Sequence, residues 1–86
     1  MLDIHPSARK HGITDADIEH AMEQALVVTV LEEDRKKVLY VGPDRAGNLL
    51  EVIAIRRTSL PELVIHAMRM RPRYADLLRG LEERDA

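Results

Sequence analysis

The spacing of apolar positions along this chain changes twice, and each change marks a change of element. Up to Ala25 they recur every three or four residues, from Leu26 to Met68 they form short β-branched blocks, and after Pro72 the helical spacing returns. Ile4, Ala8 and His11 share one face, Pro6 suits a first turn and Gly12 suits the residue past a helix end, so Asp3 to Gly12 predicts a short helix. Thr14 predicts the N-cap of a second helix, and Asp15 and Asp17 in its first turn complement the helix dipole. Ile13 and Ile18 stand at the spacing of a hydrophobic staple, and Ile18, Ala21, Met22 and Ala25 form the apolar stripe.

The block Leu26–Leu31 predicts the first strand, and Glu32–Lys37 a polar turn. Val38–Val41 predicts a second strand, closed by the turn-rich Gly42-Pro-Asp-Arg-Ala-Gly47. Asn48–Ile55, apolar on both faces except at Glu51, predicts a central third strand, and Glu62–Met68 a fourth beyond the Thr58–Pro61 turn. Pro72 opens the last helix, in which Tyr74, Leu77, Leu78 and Leu81 form one face. The expected architecture is α+β, a single domain over residues 1–86. Two N-terminal helices, a four-stranded mainly antiparallel sheet and a C-terminal helix make it up.

Composition narrows the chemistry. With 45% hydrophobic and 33% charged residues the chain is globular in type, and the absence of cysteine excludes disulfides, thiolate metal sites and a cysteine nucleophile. No apolar run is long enough to span a bilayer, the Met1–Pro6 start has no export-signal pattern, and the expected compartment is the cytoplasm, without membrane association. Tyr40 and Tyr74 are the only aromatics besides histidine, so a surface built on base stacking is not expected. The net charge of −2 hides a polarity: residues 1–34 carry eight acids against two bases, and residues 35–86 eleven bases against seven acids. The basic part suits a polyanion or an acidic protein, although solvated charges on strands and loops would have the same composition.

Four histidines are too scattered for a metal motif, which leaves only a site assembled by the fold from His11, His20 and His66. No cofactor-binding motif is present, and the glycines around residue 45 lack the spacing of a phosphate loop. Ser7 and Ser59 have turn or cap explanations, and Arg56 and Arg57 stand at a strand end, where solvation is the simple reading. The run Val64-Ile-His-Ala-Met-Arg-Met-Arg-Pro-Arg-Tyr74 passes from strand to helix and carries more information. Arg69 and Arg71 share a side if the chain stays extended up to Pro72, forming an anion site near a helix start; alternatively they pair with the acidic N-terminal part. Glu51 is a solvated edge residue, a buried partner of an arginine, or a catalytic carboxylate.

Lys10-His11-Gly12-Ile13 ahead of an acidic, capped helix resembles the K-H-G-I/V signature of BrnT-type toxins of bacterial toxin–antitoxin pairs, within the RelE-like superfamily. The turn Val41–Gly47, the strand Leu49–Ile53, and Val64–Arg69 followed by Arg73 and Tyr74 resemble the rest of that layout, over about residues 5–78. His66 stands where that family often has a small hydroxyl residue, and Pro72 interrupts its usual R-x-x-x-E-R continuation. The resemblance implies a compact sheet with helices, ribonuclease activity that inhibits translation, and neutralisation by a cognate antitoxin protein. It matches Lys10 and His11 to the K-H-G motif, Arg45 to the basic turn residue, and Arg69 and Tyr74 to the strand-end and helix positions.

Metal-independent RNA cleavage needs a base for the ribose 2′-OH, a cation for the charged phosphorane and an acid for the 5′-oxygen. His66 or Glu51 fits the base, Arg69, Arg71 and Arg45 fit the phosphate, and Lys10 or His11 supplies a further cation or the acid. Arg73 and Tyr74 complete the expected RNA-binding group. Scarce aromatics favour docking through the RNA backbone, for instance on ribosome-bound messenger RNA, over stacking of free bases. The contrasting expectation is a non-catalytic interaction module, a degenerate toxin-like domain that binds an acidic partner through its basic face. A homodimer or a toxin–antitoxin hetero-oligomer is compatible with either.

Overall fold

The described residues form five strands and two α-helices, with β1 (Asp3–Ile4), α1 (Asp15–Glu23), β2 (Val27–Leu31), β3 (Asp34–Pro43), β4 (Leu49–Ile55), β5 (Leu63–Arg69) and α2 (Ala75–Asp85) in that order. Short 3-10 helices, Pro6–Arg9 and Pro72–Tyr74, precede α1 and α2. The computed structural model describes residues 2–31 and 33–85, the last five as backbone only. The sheet order is β1-β5-β4-β3-β2; β2 to β5 form an antiparallel meander and β1 adds parallel to β5. The architecture is α+β, and the sheet is five-stranded and mixed.

The Asp3–Gly12 helix is not formed. Asp3 and Ile4 instead lie beside Leu63 and Val64 in the sheet. His5 then caps the 3-10 turn by accepting from the Ser7 N–H at 3.1 Å. Pairing with β5, some sixty positions away, is a tertiary interaction that outweighs the local helical spacing. The expected turn at Glu32–Lys37 also shrinks. Asp34 to Lys37 continue β3 as a polar extension, exposed up to Lys36 and half-buried at Lys37, while Glu32 lies outside the described residues. At its other end β3 runs through Gly42 and Pro43, which pair with Leu50 and Leu49. The turn is then Asp44–Asn48, where Asp44 Oδ1 accepts from the N–H groups of Ala46 and Asn48 at 3.0 and 2.8 Å. Gly47 takes a left-handed φ of 88° there. In the last helix, Leu81 of the expected stripe lies outside the described side chains.

α1 forms as its caps predict: the Thr14 hydroxyl accepts from the Asp17 N–H at 3.2 Å, and Ile18 and Ala21 are buried. Cross-strand partners share a sheet face, so Val38, Tyr40 and Gly42 lie with Ala54, Val52 and Leu50 under α1. Ala8, Ile18 and Ala21 close this core from above. α1 comes so close that a Cβ on Gly42 would stand 2.1 Å from the Ala21 carbonyl oxygen. At the margin of this layer the Tyr40 hydroxyl donates to Glu62 at 2.5 Å, and burial beside that carboxylate pushes its pKa up to about 12.

The opposite face carries Leu39, Val41 and Glu51, which are also fully buried. It is covered by the chain that leaves β5: Arg71 reaches Glu51, and Asp76, Leu77 and Gly80 of α2 line a groove with Leu26 to Thr29. Among the described residues the acidic front meets the basic second half in the ion pairs of Arg45 with Asp17, at 2.9 Å, and of Arg57 with Asp3. Arg57 is thus bonded to a carboxylate and to the Pro61 carbonyl, where solvation was expected. No helix among the described residues is long and apolar enough to cross a membrane.

The close approach of α1 makes Gly42→Ala a test of the packing. The methyl group would force helix and sheet apart, so stability should fall by about 1–3 kcal/mol in urea unfolding. Gly80→Ala, whose Cβ meets nothing within 4 Å, should leave the midpoint unchanged or higher.

Candidate functional site

Strand alternation sends Glu51, between Leu50 and Val52, away from the α1 core and towards the second face. There its carboxylate is fully buried, and such a charge must be paired and hydrogen-bonded to persist. Arg71 supplies most of the pairing. Its backbone is extended at φ −85°, ψ 152°, the conformation favoured before a proline. In that geometry its N–H and Nε donate to Glu51 Oε1 at 2.9 and 3.0 Å, and Nη2 donates to Oε2 at 2.8 Å. The fold makes Glu51 the buried partner of an arginine and not a solvated edge residue.

His66 completes the network through an irregularity in β5. Val64 pairs with Ala54 and His66 with Ile53, which leaves Ile65 as a bulged residue without a partner. The extra residue lets both Val64 and Ala67 enter the α1 core while His66 turns to the face of Glu51. Its Nε2 lies 2.8 Å from Glu51 Oε2. A carboxylate only accepts, so Nε2 is assigned the proton and a neutral His66 ring keeps Nδ1 as an acceptor. Burial pushes the Glu51 carboxyl up, but the hydrogen bonds from Arg71 and His66 outweigh it and hold the group below the ordinary carboxylate range.

The N-terminal segment brings the second imidazole. His5 N–H donates to the Val64 carbonyl at 2.8 Å, and the Ser7 hydroxyl donates at 2.7 Å to the carbonyl of the bulged Ile65. These bonds pin the 3-10 helix along β5, and His11 just beyond it meets His66 edge to face, with ring centroids 5.8 Å apart at 78°. Ser7 therefore positions His11, a role that its turn-like sequence context did not suggest. On the far side of Glu51, the guanidinium carbons of Arg71 and Arg73 stand 6.0 and 5.2 Å from the centre of the Tyr74 ring.

Glu51, His66, His11 and Arg71 thus form one cluster, with Tyr74 and Arg73 adjoining it through Arg71. Other candidates go elsewhere. Arg69 pairs in register with Leu50, on the α1 side of the sheet, so it does not share a side with Arg71. Arg45 is tied by its N–H and Nε to Asp17 at the start of α1, and this pairing holds the Asp17 carboxyl down at about 2. Lys10 is exposed at the end of the first 3-10 helix. His20 lies with its Nδ1 2.8 Å from the Pro43 carbonyl, apart from the other imidazoles. Among the described residues no three His, Asp or Glu side chains converge in a metal-binding arrangement.

What the cluster can do chemically follows from its parts. A buried carboxylate orients one imidazole, a second imidazole stands beside it at the surface, and the Arg71 guanidinium shares the carboxylate with the first. Compared with models of protein families, with curated proteins and with solved structures, the chain matches none.

Replacing the carboxylate tests the network. Glu51→Gln would set an amide N–H₂ against the donors of Arg71 and His66, and should lower stability by about 1–3 kcal/mol in urea unfolding at neutral pH. A carboxyl whose folded-state pKa is depressed stabilises above its unfolded value, and this contribution is lost as pH falls through the folded value. Wild type should therefore lose stability on acidification more steeply than Glu51→Gln, as measured by melts from neutral to acid pH.

Proposed function

We propose that this chain is the toxin component of a bacterial type II toxin–antitoxin pair, a cytoplasmic metal-independent ribonuclease held in check by a cognate antitoxin protein. The observation that carries this reading is the pairing of two imidazoles, His66 and His11, one of them anchored by a buried carboxylate and bordered by Arg71. The K-H-G-I motif that resembles the BrnT pattern contributes His11 to this pair, whereas His66 departs from that pattern and joins it through the fold.

In this mechanism Glu51 holds His66 as the Nε2–H tautomer, and Nδ1 takes the proton of a ribose 2′-OH. The 2′-oxygen attacks the adjacent phosphorus, His11 in its protonated form donates to the departing 5′-oxygen, and a 2′,3′-cyclic phosphate and a 5′-OH result. The phosphorane charge is met by Arg71 and Arg73, the first pre-oriented by Glu51 and both set beside Tyr74. Arg45, engaged with Asp17, and Arg69, on the other side of the sheet, act in RNA docking at most.

A second reading, a non-catalytic module that binds an acidic partner through the same face, draws on one observation. The Glu51 carboxylate accepts on both oxygens, from Arg71 at Oε1 and Oε2 and from His66 at Oε2, as a purely structural buried carboxylate does.

His11 separates the two readings because it is exposed, so its removal should not unfold the chain. On the catalytic reading, His11→Ala lowers RNA cleavage by about 100-fold or more in the presence of EDTA, leaves the thermal melt unchanged, and relieves growth arrest on induced expression. Cleavage products should carry 2′,3′-cyclic phosphate ends. A folded wild-type chain that neither cleaves RNA nor arrests growth leaves the interaction module as the function.

A further inference from the structure

The outer edge of the sheet opposite the histidine cluster has an unusual composition. β2 is Val27-Val-Thr-Val-Leu31, the last strand in the order β1-β5-β4-β3-β2, and it pairs with β3 alone. Edge strands are ordinarily blunted by lysine, proline, a bulge or a covering loop, and this one contains no charge and no proline, its one irregularity being the register shift between Val30 and Leu31. Its α1-facing side chains are left to solvent: Leu26 is 53%, Val28 55% and Val30 40% exposed. On the other face Leu77 of α2, 38% exposed, borders the same edge. Apolar side chains on both sides of an unpaired backbone row are what an added strand would cover.

We propose that the occupant is β2 of a second copy, in antiparallel pairing about a two-fold axis through Thr29. This operator sets Val28 against Val30 of the other copy and Thr29 against itself. It brings no like charges together within the strand, because β2 has none. Asp34 lies opposite Leu31 at one end of the edge, and the arginines at that end complement Glu23 at the other under the same rotation. Val28 pairs with Tyr40, which shares a groove with Glu23, and Val30 shares a groove with Arg35 and Arg56. Reversing the strand direction carries the Glu23 end of one copy to the arginine end of the other, at both ends of the interface. The two sheets then run on as one, with the histidine clusters on the outer sides. The pairing stands independently of the ribonuclease reading, since β2 lies at the edge farthest from β1.

Light scattering over roughly 1–100 μM protein, coupled to size exclusion, tests it. Wild type should approach twice its 9.8 kDa mass with rising concentration. Val28→Lys, at an exposed position, should weaken self-association about tenfold or more while the melt of the dilute monomer is unchanged. Arg56→Glu should also weaken it, and adding Glu23→Arg in the same chain should restore it. Four outcomes overturn the proposal: a wild-type chain monomeric throughout, a dimer indifferent to Val28→Lys, a double variant that does not recover, or an edge filled only by a different protein.

Discussion

A carboxylate without access to water sits in the central strand of this sheet, and much of the structure follows from keeping it paired. Glu51 cannot turn to the α1 face, because Leu50 and Val52 fill that core and strand alternation places Glu51 opposite them. On its own face it is covered, so its charge has to be met by donors brought there by the chain. Arg71 meets it with both backbone and side chain, and this fixes the direction in which the chain leaves β5. Pro72 reinforces that direction by favouring extended backbone at the residue before it. The start of α2 is thereby set over the second face. One electrostatic requirement thus links the middle of β4, the end of β5 and the placement of the last helix.

The same requirement shapes β5. A regular strand would put Val64 and His66 on one face, and either an apolar residue would leave the core or the imidazole would leave the carboxylate. The bulge at Ile65 resolves the conflict by giving both residues the face they need. It also frees a carbonyl, to which the Ser7 hydroxyl donates. The N-terminal segment is therefore anchored by the irregularity that orients His66, and His11 follows from that anchorage. Motifs far apart in the chain, K-H-G at its beginning and I-H-A-M-R towards its end, meet because of one extra residue in a strand.

This explains which parts of the fold were legible in the sequence. α1 was, down to its cap and stripe, because its signals are local: a threonine, two early acids and apolar residues at helical spacing. The cores of β2, β4 and β5 were legible for the same reason. β1 was not, since Asp3 and Ile4 become a strand only by pairing with residues near position 63. Gly42 read as part of a turn because glycine next to proline ordinarily marks one, whereas it lies within β3 where α1 packs too closely for a side chain. At the site, His66, Glu51, His11 and Arg71 were all recognisable as reactive types, yet their convergence was not. A bulge has no sequence signal strong enough to place it, and it decides which face His66 shares. Arg45 matches the basic turn residue of the resembled pattern, but a match in sequence does not place it beside the imidazoles, and the fold ties it to Asp17 at the start of α1.

The balance of energies at Glu51 bears on what the cluster is for. Replacing a buried ion pair with apolar residues of similar volume is often neutral or stabilising, so stability alone gives little reason for a carboxylate at the centre of a sheet. An apolar residue at this position would pack against Ile53 and Met68 without any need for Arg71. What it would not do is hold an imidazole in one tautomer at a partly exposed position, with a second imidazole beside it and a guanidinium at a fixed distance. Those are constraints of chemistry more than of folding, and they favour the catalytic reading over the structural one. Arg71 has a part in both, because the bonds that neutralise Glu51 also aim the guanidinium. On the catalytic reading, a cation that had to be ordered on substrate arrival would pay that entropy in the reaction, whereas folding alone already orders Arg71.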